Sequence, residues 1–120
     1  MGHSHKAERA ESKRLLRQVS FEVIFISDGL KSAESLIYIA MAEEAAAGST
    51  GNYKRAERNY KEALDELTEL ASLVSKAPSV YGSMIYTIQD RIQIAQTGVL
   101  ELQLKGIAVA YSRSIDDKLK

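Results

Sequence analysis

Cysteine is absent from this chain, so it can form neither a disulfide framework nor a thiolate metal site. Tryptophan is absent too, and proline occurs once, at Pro78. No apolar run approaches the roughly 20 residues that a bilayer span requires. The N-terminus is polar through Arg14, which is not the architecture of a signal peptide. Neither sign of charge dominates: 16 Lys and Arg balance 16 Asp and Glu. That balance argues against a nucleic-acid footprint or a polybasic membrane surface. A chain without Cys suits a reducing compartment, and the expected location is cytoplasmic. The only two histidines stand in Met1-Gly2-His3-Ser4-His5, which reads as the remnant of an expression tag and is set aside from functional reasoning.

What the chain does have is helical periodicity. Its 120 residues fit one domain with one core. Apolar residues recur at alternating steps of three and four in three segments. The first runs Leu16, Val19, Val23, Ile26, Leu30, Ala33, Ile37, Ala40. The second runs Tyr53, Ala56, Tyr60, Ala63, Leu67, Leu70, Val74. The third runs Tyr81, Ile85, Ile88, Ile92, Ala95, Val99, Leu102, Gly106, Val109. Such spacing puts a stripe on one side of each helix, and stripes of this length predict near-parallel packing in a bundle.

The punctuation lies between these segments. Gly48 to Asn52 is a turn cluster, with Gly to end the first helix and Asn52 placed to cap the second. Pro78 should stop the second helix near Lys76, and Pro78 and Ser79 suit the start of the third. The expected organisation is therefore all-α. Residues 1–7 are read as tag remnant without fixed structure, and residues 8–118 as one antiparallel three-helix bundle with helices near 8–47, 53–76 and 79–117. The first and third helices are long. One alternative stays open: Ser27-Asp28-Gly29 could break the first segment and fold it back as a fourth helix, since Gly costs about 1 kcal/mol inside a helix.

If all three helices are continuous, the second covers about 36 Å and the other two about 60 Å each. The first then overhangs at one end and the third at the other. Both overhangs carry apolar residues, and stripes of that size mark contact surfaces. Leu16, Val19, Phe21, Ile107 and Tyr111 are the candidate self-association residues, and a homodimer is expected.

Catalytic chemistry finds no foothold. With Cys absent and both His in the tag, thiol and Ser/His nucleophile arrangements are missing. Glu43-Glu44 and Asp116-Asp117 are adjacent pairs that cannot share a helix face, and no Glu-x-x-His occurs. Gly48 to Gly51 is too short for a phosphate loop and lacks the following Lys. The chain is expected to be no enzyme and to need neither cofactor nor metal.

The most specific string opens the second helix: Gly51-Asn52-Tyr53, then Ala56, Tyr60, Ala63-Leu64 and Leu67. Small residues at Ala56 and Ala63 let the helix press on a neighbour, and Tyr60 fills the space between them. This string resembles those of MIT (microtubule interacting and trafficking) domains and, as second choice, tetratricopeptide hairpins. A tetratricopeptide array needs repeats with a period of 34, and here the string occurs once. Ser35 to Ala40 and Asp90 to Ile94 are similar to stretches of the spastin- and spartin-like MIT subgroup. The resemblance covers roughly residues 30 to 98. The loop from Ala45 to Asn52 is longer than the family's, and the helices outrun its usual ends.

The resemblance implies a protein-binding module that takes short amphipathic helical tails of ESCRT-III type, in membrane trafficking, in a groove between the first and third helices. It assigns that groove to Leu36, Ile39 and Glu43 from the first helix. Met84, Tyr86, Asp90, Arg91 and Ile94 come from the third, with Arg91 set to meet an acidic group on the peptide. The alternative function is a self-associating structural or chaperone-like bundle with no peptide groove.

Overall fold

The computed structural model describes residues 2–77 and 81–119, apart from the side chains of residues 2–5, 16, 18–20 and 49. All regular structure among the described residues is helical. Helix α1 spans Gly2–Ala47, a 3-10 turn spans Gly48–Thr50, α2 spans Lys54–Ser75 and α3 spans Met84–Leu119. Helix α1 begins before the expected start at residue 8. The side chains of His3, His5, Leu16 and Val19, and the expected start of the third helix at Pro78 and Ser79, lie outside the described residues.

The expected turn between α1 and α2 forms, but by a different cap. Gly48 and Gly51 have φ of 47° and 74°, a region open to Gly without a side-chain clash. The Thr50 hydroxyl donates to the Ala47 carbonyl at 2.6 Å, and the Asn52 N–H donates to Thr50 Oγ1. Asn52 stays in the turn, and Tyr53 takes the cap position, where its side chain bonds none of the helix's first N–H groups. The Glu57 N–H reaches the Tyr53 carbonyl at 2.9 Å, while the Tyr53 hydroxyl donates back to the Gly48 carbonyl at 2.8 Å. At the other end α2 stops at Ser75, where the Lys76 N–H bonds the Leu73 carbonyl at 3.3 Å and the Ala77 N–H the Val74 carbonyl at 3.2 Å.

Helix α1 passes Gly29 unbroken, so no fourth helix forms by fold-back there. The glycine serves packing instead. A Cβ at Gly29 would lie 3.0 Å from a Leu70 methyl of α2, so the missing side chain lets α2 settle against α1. The roughly 1 kcal/mol that Gly costs within a helix is offset by this close approach.

Helix α2 is central. It packs along its length against both α1 and α3, while α1 and α3 touch each other little. Its buried residues are Ala56, Tyr60, Ala63, Leu67, Leu70 and Val74, the stripe read from the sequence with only Tyr53 half-exposed. They face Ile26, Ala33, Ile37 and Ala40 of α1 and Ile88, Ala95, Gly98 and Leu102 of α3. Tyr81, between α2 and α3, is buried and gives its hydroxyl to the Glu22 carboxylate.

The lengths do not match, and that sets the shape. At 1.5 Å per residue α2 covers about 33 Å, against about 69 Å for α1 and about 54 Å for α3. The molecule is 92 × 20 × 16 Å. The expected bundle over 8–118 is therefore narrower: helices pack only along the reach of α2, and the N-terminal part of α1 and the last turns of α3 run past it. Leu67 lies at the middle of the packed zone and is fully buried. Leu67→Ala is expected to cost about 2–5 kcal/mol of unfolding free energy in urea titration. A loss below about 1 kcal/mol would place the core elsewhere.

Candidate functional site

Because α2 separates α1 from α3, a groove of about 400 Å³ opens between the two outer helices with α2 as its floor. The floor is Tyr60, and its seat is made by a glycine. A Cβ at Gly98 would lie 2.7 Å from the Tyr60 ring, so any side chain there would displace it. Met41 and Glu44 of α1 form one wall, and Asp90, Gln93, Ile94, Thr97 and Glu101 of α3 form the other. Asp90, Ile94, Thr97 and Glu101 recur at steps of four and three, with Gln93 beside Ile94, which keeps the wall on one side of α3 over about 17 Å.

Ion pairs tie the walls together at both ends. Arg91 Nε lies 3.4 Å from Glu34 Oε1, and Lys105 Nζ lies 2.9 Å from Glu44 Oε1. The hydrogen bond from Lys105 to Glu44 raises the lysine pKa above its usual range, chiefly by favouring the charged form. Between these ends the lining holds three carboxylates, Glu44, Asp90 and Glu101, and no Lys or Arg. The groove is thus apolar at Tyr60, Met41 and Ile94 and acidic at its edges.

The residues assigned by resemblance scatter around this site. Asp90 and Ile94 line the groove, and Arg91 stands at its end. Arg91 is engaged with Glu34 and Asp90 of its own chain, so its guanidinium is already compensated. Leu36 and Met84 are half-buried against the core instead. Glu43 accepts a 2.7 Å bond from Asn59 Nδ2 of α2, and its other carboxylate oxygen is buried without a hydrogen-bond partner. Ile39 and Tyr86 are exposed and lie outside the groove lining. Met41, Glu44, Tyr60, Gln93, Thr97, Gly98 and Glu101 were not anticipated. The signal that could have found them was Gly98, a glycine in the interior of a long helix one turn after the core residue Ala95.

Of the candidate self-association residues, Phe21, Ile107 and Tyr111 are 72%, 67% and 69% exposed. Ile107 and Tyr111 continue a stripe with exposed Leu100 and Leu104. By helical periodicity this stripe lies opposite the core face of Ile88, Ala95 and Leu102. Among the described residues, no group of three or more His, Cys, Asp or Glu is placed to hold a metal, and no helix is long and apolar enough to cross a membrane. No family model, curated protein or solved structure matches the chain.

Burial of Tyr60 raises its pKa, and the nearby charges of Glu44 and Glu101 add to the effect. In the unfolded chain tyrosine ionises near pH ~10. A folded-state pKa above that value means the stability contribution is fully present below pH ~10 and declines as pH rises further. Tyr81, raised mainly by its bond to Glu22, acts in the same direction. Unfolding free energy is therefore expected to fall from pH ~10 upward, and Tyr60→Phe should flatten that decline without abolishing it. A Tyr60→Phe profile parallel to wild type above pH ~10 would contradict the burial assignment.

Proposed function

We propose that the chain is a non-enzymatic protein-interaction module that binds an amphipathic helical peptide in the groove between α1 and α3. The observation that carries this reading is the groove itself. It is an apolar trough about three helical turns long, floored by Tyr60 over Gly98 and held open by α2. A helix laid in such a trough buries its apolar face and leaves its polar face in water, the usual mode of helix-in-groove recognition. On this reading the packed zone is a three-helix bundle of MIT type, and tails of ESCRT-III type are the partner class that the sequence resemblance suggests.

The lining also gives the peptide's chemistry. Glu44 and Asp90 are already paired with Lys105 and Arg91, so Glu101 is the carboxylate of the lining that most favours a basic residue beside the apolar anchors, and Arg91, already paired, is a poor anchor for an acidic one. A leucine or similar side chain would rest against Ile94, Met41 and the Tyr60 ring.

Fluorescence anisotropy with labelled helical tail peptides tests the reading. Peptides carrying Lys or Arg beside their Leu anchors are expected to bind, and Ile94→Asp, at a partly exposed wall position, should weaken binding at least about tenfold through the loss of an apolar contact and added like charge. Circular dichroism of the variant should match wild type. Binding that ignores Ile94→Asp, or no binding by any such peptide, removes the groove from the function.

A further inference from the structure

The N-terminal part of α1 is a basic arm. From Lys6 to Arg17 it carries Lys6, Arg9, Lys13, Arg14 and Arg17 against Glu8 and Glu11, and all five cations are exposed. One of them, Arg14, is paired with Glu11 at 2.6 Å within the arm. Where the arm enters the packed zone, α1 and α2 leave a cleft on a face that the peptide groove does not use. One part, of about 470 Å³, is mainly apolar, lined by Phe21, Phe25, Leu73 and Tyr81, with Glu22 and one cation, Lys76, at its edge. The adjoining part, of about 370 Å³, shares Phe25 and Leu73 and adds Asp28, Glu66 and Glu69. Phe21 and Phe25 are more than half exposed. One carboxylate oxygen of Glu66 is buried with no hydrogen-bond partner, a state that an incoming donor would relieve.

We propose that this cleft seats the basic arm of a second copy, so that two chains exchange arms about a two-fold axis. Three observations select that occupant. Charge is complementary at one end, where Asp28, Glu66 and Glu69 line the cleft with no Lys or Arg among them, while the other end, with Phe21, Phe25 and Lys76, is mainly apolar. Length matches as well. The cleft runs from Phe21 to Ser32 and the arm from Lys6 to Arg17, equal stretches of about 17 Å at 1.5 Å per residue. Continuity excludes the chain's own arm, because arm and cleft wall belong to one unbroken helix that cannot turn back on itself. With the two α1 helices antiparallel, Arg17 of one copy stands beside Phe21 of the other. Lys6 and Arg9 then reach the end that carries Asp28, Glu66 and Glu69. The same contact repeats in reverse, as a two-fold interface requires.

Light scattering on the full chain tests this. At low salt the mass should be twice 13.3 kDa and should fall toward one chain as salt rises. Arg9→Glu with Lys13→Glu reverses the arm, and Asp28→Lys with Glu69→Lys reverses the exposed rim of the cleft. Each double variant should dissociate at least about tenfold more readily. Mixing the two should restore a dimer, because every arm then meets a cleft of opposite sign. Circular dichroism checks that helix content is kept. The neutral pair Asp28→Asn with Glu69→Gln should give a milder weakening if the reversed rim fails to fold. A wild-type monomer at all salts, or a dimer indifferent to both reversals, overturns the proposal. Peptide binding in the α1–α3 groove plays no part in the outcome.

Discussion

Everything in this molecule depends on a 22-residue helix buried between two longer ones. The magnitudes show why α2, rather than direct attraction between α1 and α3, holds the fold. The bridges Glu34–Arg91 and Glu44–Lys105 join partly exposed groups, which water and salt screen, so they contribute little to stability. Burying one Leu or Val side chain stabilises by about 1.5–3 kcal/mol, and α2 alone buries Leu67, Leu70 and Val74. The outer helices are therefore held apart by what each packs against, and the ion pairs set only the spacing of the gap. A groove floored by α2 follows from that arrangement.

The close contacts across α2 depend on missing side chains. Ala56 and Ala63 let backbones approach, Gly29 admits Leu70 from one side, and Gly98 admits Tyr60 on the other. The tyrosine is large where its neighbour is smallest, so its ring sits directly against the α3 backbone at Gly98.

Most of the core could be read from periodicity, because a stripe that must leave water shows its spacing directly. Every buried residue of α2 was placed this way, as were Ile26, Ala33, Ile37 and Ala40 in α1 and Ile88, Ala95 and Leu102 in α3. The continuity of α1 was harder to read: Gly29 suggests a break when judged by helix propensity and reveals its purpose only beside Leu70. Asn52 has the right chemistry for a cap, but the helix begins one residue later and puts Tyr53 in the cap position. The groove was least legible. Its walls come from positions next to the core stripe, and whether such a position faces solvent, core or groove depends on how far apart α1 and α3 stand. Glu43 shows the problem, since its neighbour Glu44 lines the groove while Glu43 itself bonds Asn59 of α2.

The mismatch between a short α2 and two long neighbours leaves apolar and charged surface beyond the packed zone at both ends. The arm of α1 follows from a continuous helix outrunning its cover, whereas the outward stripe of α3 is exposed because it faces away from α2. Small-angle X-ray scattering on dilute chain at a salt concentration that keeps it monomeric tests this most directly. Continuous helices require a radius of gyration near the 22.1 Å of the Cα trace. A value near ~14 Å, expected for a compact domain of this length, would mean that α1 or α3 folds back.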